Sequence, residues 1–521
     1  MDVQATTLPE DVSVLQQMIR ELLVSLRARD RQIGQLEHRL DQLLRRLYGR
    51  RSEKLDPSQL VLFQQLLEEA VAEQATEEAP AEPSERPRRR GHGRRKLPAD
   101  LPRKRVVHEV PPEEQVCGCC GKRKTKIGED VSEQLEYEPA SVYVVEHVRE
   151  RYACEDCEEG VVRADKPRQP IEKGLPGPGL LSHVITSKYC DHLPLYRQES
   201  IFRRLGVELP RSTLCGWMGQ AAELLTPLYG AAARRVLCSK VIGTDDTPVR
   251  VQDPLLEGRM RTGRFWVYVG DEDHPYVVYD FTASRSRDGP VAFLGDYEGY
   301  LQADAFAGYD GIYAGQTVQE VLCWAHARRK FYEAQSSDAA RSLTALGYIR
   351  SLYKVEDEAK ALFEAREGAE PLSSIRLRLR QEASVRLLDD FHKWMKSQTA
   401  GTAAGGSVLP KSPLGGAIDY CLSNWKALAR YTTDGDLAID NNAAERALRG
   451  IAVGRKNWLF AGSDNGGRTA AILYSLIESA KRHGLDPFVY LRDVIARISD
   501  HPAARIEELL PDRWTPLSPE G

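Results

Sequence analysis

Three carboxylates in this 521-residue chain sit where the surrounding residues would not otherwise favour an acid. Asp245 lies in KVIGTDDTPVRV (240–251), Asp304 in YLQADAF (300–306) and Glu445 in IDNNAAERALRGIAVGRKNWLF (439–460). Two Asp and one Glu drawn from separate stretches are hard oxygen ligands, a set able to hold two divalent cations, Mg2+ or Mn2+, for phosphodiester chemistry. Arg446, Arg449, Arg455 and Lys456 follow Glu445 within about three helical turns, forming a basic surface able to track a phosphate backbone. Taken alone, that stretch is equally a solvated helix with an incidental Glu.

The elements that must position these acids can be read around them. Asp440, Asn441 and Asn442 are good N-cap residues, and Ala443, Ala444, Ala447 and Leu448 favour helix, which puts Glu445 in the first turns. Residues 240–251, 264–271, 276–281 and 300–306 are β-rich runs flanked by turn formers, with a helix expected over 288–294. Strand, strand, strand, helix, strand is the opening of an α/β ribonuclease-H-like fold. QEVLCWAHARRKF (319–331) reads as a strand feeding a helix, with His326 at its start. That histidine either contacts a phosphate, supports the metal site, or is a satisfied structural residue.

Side-chain parity separates Asp245 from Asp246. Val241, Gly243, Asp245, Thr247, Val249 and Val251 share one face, on which Asp245 is the sole charge. Ile242, Thr244, Asp246, Pro248 and Arg250 share the other, with Arg250 in reach of Asp246. A lone carboxylate on an apolar face is costly to bury without a cation, so Asp245 is expected to be the ligand and Asp246 its support. Glu445 follows Asp304 at too great a distance for a simple connection. Residues 342–387 are amphipathic and charged, 401–416 are rich in Gly and Ser, and 417–431 return as a helix, so an all-α insertion is expected over about 332–435.

The first part of the chain carries different signals. Val12, Leu15, Ile19, Leu22, Leu26, Arg29, Ile33, Leu36, Leu40, Leu43 and Leu47 keep one heptad register, the narrow seam of a two-stranded coiled coil, so the chain is expected to be at least a dimer. An acidic, Ala- and Pro-rich linker follows, and its sign then flips: ten Arg or Lys stand against Asp100 alone between Arg86 and Arg105. Its centre, Arg88, Arg89, Arg90, Arg94, Arg95 and Lys96 around Gly91 and Gly93, is either a minor-groove hook or a solvated basic linker. Cys117-x2-Cys120 and Cys154-x2-Cys157 aim four thiolates at one point, the closed Zn2+ site of a structural ribbon, with Cys119 as a rival to Cys120. Over 180–232 several helices are expected. RSTLCGW (211–217) is either the start of a helix-turn-helix recognition helix, with Ser212 as N-cap and Trp217 and Met218 toward the core, or a plain connector.

A net charge of −4 argues against DNA binding by overall charge and directs attention to these local clusters. Five of the ten cysteines crowd into 117–157 and five are scattered, which fits reduced thiols plus one metal site. No run of about 18 apolar residues and no signal-peptide pattern occur, so a cytoplasmic, nucleoid-associated protein is expected. The expected organisation is a coiled coil (1–55), a linker (56–105), a zinc module (106–172), a helical segment (173–238), the ribonuclease-H-like domain (239–492) and a C-terminal tail (493–521), with a last helix over 485–499 and loose final residues.

GTDDTPVRV, LQADAFAGYDG, CWAHARRKF and DNNAAERALRGIAVGRKNWLFAGSDNGG, preceded by HLPLYRQE (192–199) and RSTLCGW, resemble the transposases of the insertion-sequence-66 family, DDE enzymes of bacterial mobile elements. The resemblance runs from the N-terminal helix to about Arg492. It implies a leucine-zipper-like N-terminus, a zinc-binding module, and a catalytic domain in which Asp245, Asp304 and Glu445 act on double-stranded DNA, the element's ends and its target. The need for helper proteins of the same element is left open. The family's first motif usually reads Asp-Glu-Thr-Pro, whereas this chain has Asp245-Asp246-Thr247-Pro248. The rival readings are a noncatalytic DNA-binding regulator, which three acids argue against, and a glycosidase using an acid pair, which the zinc and arginine features argue against.

Overall fold

The structure is a computed structural model that describes residues 142–145, 151–152, 162–163 and 169–516, except 173, 253–258, 316, 366–368 and 400–407. The heptads, the basic hook and Cys117, Cys120, Cys154 and Cys157 lie outside the described residues. The chain divides into two units; of one, residues 51–147, only 142–145 are described, and everything treated below belongs to the other.

Two short strands, β1 (Arg151–Tyr152) and β2 (Val162–Arg163), pair antiparallel. In sequence they bracket the second cysteine pair. Three helices follow: α1 (Pro178–Tyr189), α2 (Leu195–Arg204) and α3 (Arg211–Leu237). Trp217 and Met218 are buried on α3 as expected, but Pro210 is its N-cap and the helix runs for 27 residues. Ser212 is therefore the second residue of a long helix and not its cap.

The centre is a mixed five-stranded sheet of order β5-β4-β3-β6-β7. Its strands are β3 (Val241–Gln252), β4 (Met260–Val269), β5 (Val277–Thr282), β6 (Gly299–Ala303) and β7 (Val318–Leu322). β3, β4 and β5 pair antiparallel, while β3, β6 and β7 pair parallel. The crossover from β5 to β6 carries α4 (Asp288–Leu294), and a single turn, α5 (Asp310–Tyr313), follows β6. β4 is covered on both faces, which explains its unbroken buried run Phe265 to Val269. β6 ends at Ala303, so Asp304 lies just beyond the strand and not within it.

After β7 comes α6 (Trp324–Ala334), then α7 (Ala339–Ala365), α8 (Leu372–Leu379), a π turn (Arg380–Ser384), α9 (Val385–Thr399), α10 (Pro413–Ser423) and α11 (Trp425–Ala429). With Val321 and Leu322 they enclose a hydrophobic cluster around Trp324, Phe331 and Phe391. A second, larger cluster joins the sheet to α1, α3 and the C-terminal helices.

The chain returns through α12 (Asn442–Trp458), α13 (Asp464–Arg482) and α14 (Pro487–Arg497). Although AGSDNGG (461–467) has the composition of a turn, its last four residues open α13: Ser463 caps it by accepting from the Gly466 N–H at 3.1 Å. α13 also covers the edge strand β5. Ser475 accepts from the Tyr279 N–H at 2.8 Å and Ser479 from the Val277 N–H at 3.1 Å, occupying donors an open edge would leave free. A Cβ on Gly467 would lie 2.5 Å from the Phe281 ring, so the close approach of α13 depends on that glycine.

As far as residue 516, the C-terminal segment is not the loose tail expected from sequence. Leu509 and Leu510 are fully buried, the Tyr490 hydroxyl donates to the Leu509 carbonyl at 2.8 Å, and the Trp514 indole donates to Asp493 at 2.6 Å. Among the described residues, no helix is long and apolar enough to cross a membrane.

Candidate active site

Asp245 sits mid-strand on β3, opposite Val267 of β4. Burial raises its carboxyl to about 7; the charges of Asp304, Asp246 and Glu445 push the same way, and the Asp246 N–H, donating at 2.7 Å, opposes them. Two acids from distant parts of the chain, Asp304 and Glu445, and the adjacent Asp246 thus act on one half-buried carboxylate. Asp304, on the loop leaving β6, is also raised by burial, while His326 and Arg285 lower it.

Asp246 faces the other way, as parity requires, but its partner is not Arg250, which is exposed. Arg264 on β4 and Arg285 after β5 each approach an Asp246 oxygen to 2.7 Å, and the Asp246 side chain is only 3% exposed. Arg250 loses this role because Arg264 lies across the ladder, beside the Asp246–Trp266 pair. Arg285 also reaches to 3.8 Å from Asp304 and lies over the Phe306 ring.

Glu445 reaches the site through its helix start. β3 pairs with β6 only through Gly243, so the Thr244 carbonyl lies where the parallel ladder ends. Asn441, 2% exposed, donates its amide N–H to that carbonyl at 2.7 Å, which ties the start of α12 to β3. Its side chain does not cap the helix; Asp440 instead accepts from the Asn442 N–H at 3.1 Å and from the Asn442 amide at 2.7 Å. The preceding loop is fixed as well: Trp324 N–H donates to Ile439 O at 3.1 Å and Gln302 to Ala438 O at 2.6 Å. A Cβ on Gly243 would stand 3.1 Å from Asn441 Oδ1, so this strand position needs a small residue.

His326, on the first turn of α6, has Nδ1 3.8 Å from Glu445 Oε1. Both atoms are buried and have no hydrogen-bond partner among the described residues. Cys323, at the N-cap of α6, joins them: its Sγ, a ring nitrogen of His326 and a Glu445 oxygen all lie within 4.8 Å of one another. Among the five cysteines outside 117–157, Cys323 is set apart in the sequence by its Cys-x2-His spacing to His326 where a strand becomes a helix.

On α12, Arg446, Arg449 and Lys456 are exposed along one face, with the exposed Val453 between them. Arg455 is not on that face. Its guanidinium donates to Thr247 Oγ1 at 2.8 Å and to the Pro248 carbonyl, bracing α12 against β3.

Residues 173–469 match the transposase IS66 family. The chain belongs to that family. Residues 114–158 match the zinc-finger binding domain of transposase IS66, which covers both cysteine pairs, and 475–511 match the IS66 C-terminal element, which includes the packed C-terminal segment. Residues 35–106 match a family region described as transposase C of IS166 homeodomain. Among relatives of this family member, uncharacterized protein y4hP of Sinorhizobium fredii is 36% identical over 92% of this chain and 88% of its own length. Uncharacterized protein y4jD of the same organism is 33% identical over 99% of this chain and 98% of its own.

Proposed function

We propose that this chain is an active DNA transposase that binds the ends of its mobile element, hydrolyses a phosphodiester to free a 3′ hydroxyl, and joins that hydroxyl to target DNA. What supports this reading most is that Asn441 ties the start of α12, which carries Glu445, to β3, and that Glu445 and Asp304, on the loop leaving β6, both act by their charge on Asp245. The order and direction of the five strands support a ribonuclease-H-like catalytic domain, with the helices from α7 to α11 as its insertion.

Asp245, Asp304 and Glu445 would hold the metal. The local chemistry fits: Asp245 is desolvated among like charges, and Glu445 has a buried oxygen without a partner, so a bound cation would relieve both. Two Mg2+ or Mn2+ ions, when bound, supply activation of the attacking oxygen and stabilisation of the leaving one. The remaining tasks belong to this chain's own residues. Arg446, Arg449 and Lys456 would hold DNA phosphates through the exposed face of α12. Arg455 and Asn441 keep that helix in register with β3. Arg264 and Arg285 neutralise Asp246, which leaves Asp245 as the uncompensated acid.

In the first step a water oxygen forms a bond to phosphorus and the bond to the 3′ oxygen breaks, that oxygen leaving with a proton. In the second, the freed 3′ hydroxyl oxygen forms a bond to the phosphorus of a target phosphodiester as that phosphorus loses its bond to the target's 3′ oxygen, which leaves with a proton replacing the one the attacking hydroxyl gives up. The zinc ribbon and basic hook would add end recognition, and the N-terminal zipper would join two chains. The alternative, a noncatalytic DNA-binding regulator, keeps every DNA contact and loses the chemistry. Incubating purified protein with the element's ends and Mg2+ separates the two. Metal-dependent 3′ nicks and joined products are expected; end binding without nicking sinks the catalytic reading.

A further inference from the structure

We propose that Cys323, His326 and Glu445 form a second metal site, selective for a soft divalent ion such as Zn2+, and that filling it withdraws Glu445 from the magnesium set. The second half of this proposal rests on the catalytic reading above; the first does not.

The three ligand atoms already lie within 4.8 Å of one another. Ligand atoms around a tetrahedral zinc, at bonds of 2.0–2.3 Å, are separated by about 3.3–3.8 Å. The His326 Nδ1 to Glu445 Oε1 distance is 3.8 Å, so only small movements are needed to enclose an ion. Both atoms are buried without a hydrogen-bond partner, a state that costs free energy and that metal bonds would relieve. Cys323 is fully buried, and its sulfur is oriented by the Asn441 N–H, which donates to Sγ at 3.2 Å. Asn441 also places Glu445, so one residue sets the positions of two ligands.

The donor set decides the ion. Thiolate and imidazole favour Zn2+, whereas Mg2+ takes oxygen ligands in octahedral geometry and keeps several waters. On binding, the Cys323 S–H bond breaks, its proton passes to solvent, and the sulfur forms the bond to zinc. Three protein ligands leave one position open. A Glu445 oxygen committed to zinc would no longer serve beside Asp245 and Asp304, so zinc is expected to inhibit.

The test uses full-length protein, saturated with Zn2+, freed of excess metal and analysed for bound zinc. Wild-type protein should carry one more zinc per chain than either Cys323→Ser or His326→Gln, while Cys215→Ser, which removes an exposed thiol elsewhere, should match wild type. Thermal melts report folding of each variant; if Cys323→Ser does not fold, His326→Gln carries the comparison. Equal zinc counts in wild type and the folded variants overturn the site. In the same preparations, zinc should slow Mg2+-dependent nicking by wild type and slow the residual nicking of Cys323→Ser less. Extra zinc that leaves wild-type nicking unchanged overturns the competition. A protein that gains the extra zinc but nicks under no condition refutes the catalytic reading and keeps the site.

Discussion

The main-chain N–H of Asp246 donates to Asp245 Oδ1 at 2.7 Å, a contact between neighbouring residues whose carboxylates serve different partners. Asp246 is bound by Arg264 and Arg285, whereas Asp245 is desolvated among acids. Asp245→Asn should therefore abolish nicking and strand transfer and leave end binding intact. Asp246→Asn weakens two ion pairs that support the site and should lower the rate by about 10- to 100-fold, the range for residues that orient ligands. Gel assays of nicking and binding check both; the reverse ranking would overturn the assignment.

Asn441→Ala removes the donor to the Thr244 carbonyl at the end of the β3–β6 ladder. A buried acceptor left unpaired costs about 1–3 kcal/mol. Because Asn441 also sets the start of α12, kcat should fall more than DNA affinity. Urea melts and nicking kinetics together distinguish this from a purely local loss.

Arg380 is wholly buried and gives Nε and Nη2 to the two Glu356 oxygens, each at 2.7 Å, while Nη1 donates to the carbonyls of Tyr431 and Asp434. Glu356→Ala would strand that guanidinium and should destabilise by about 3–5 kcal/mol. Replacing both with apolar residues, Glu356→Leu with Arg380→Met, should cost less than the sum of the single changes, as read from denaturant unfolding.

The zinc-finger region spans Cys117, Cys120, Cys154 and Cys157. Cys117→Ser or Cys154→Ser should each release its zinc, measured by elemental analysis, and weaken end binding. If Cys119 is the true ligand in place of Cys120, Cys119→Ser will lose metal and Cys120→Ser will not.

Deleting residues 1–48 should weaken self-association and cooperative end binding while sparing single-end nicking. Replacing Arg29 with Leu should strengthen association, since a charge at a core heptad position is costly. Sedimentation of both variants checks this; a deletion that leaves the mass in solution and end binding unchanged would count against the zipper.

Local signals carried much of this protein. The β-branched and aromatic runs that became β3, β4 and β5, the helix at Asp288–Leu294, the strand-to-helix passage at Cys323, and the helix start at Asn442 each depend on a few neighbouring residues. Propensity and capping act at that range, and so do the separated motifs by which family membership was recognised. Side-chain parity on β3 was legible for the same reason, because alternation belongs to the strand itself.

Partnerships were decided elsewhere. Arg250 was the near basic residue for Asp246, yet Arg264 and Arg285 took that place, because β3–β4 register and the β5 exit loop bring them to its side chain. Cys323 looked like a scattered thiol until the docking of α12 brought Glu445 beside it and His326. Arg455 looked like a DNA contact until α12 turned it onto β3. The C-terminal segment looked loose until Leu509 and Leu510 found the core. In each case the deciding contact joins residues far apart in the chain. Sequence by itself determined which residues were available for the chemistry; only strand register and helix docking decided which of them meet.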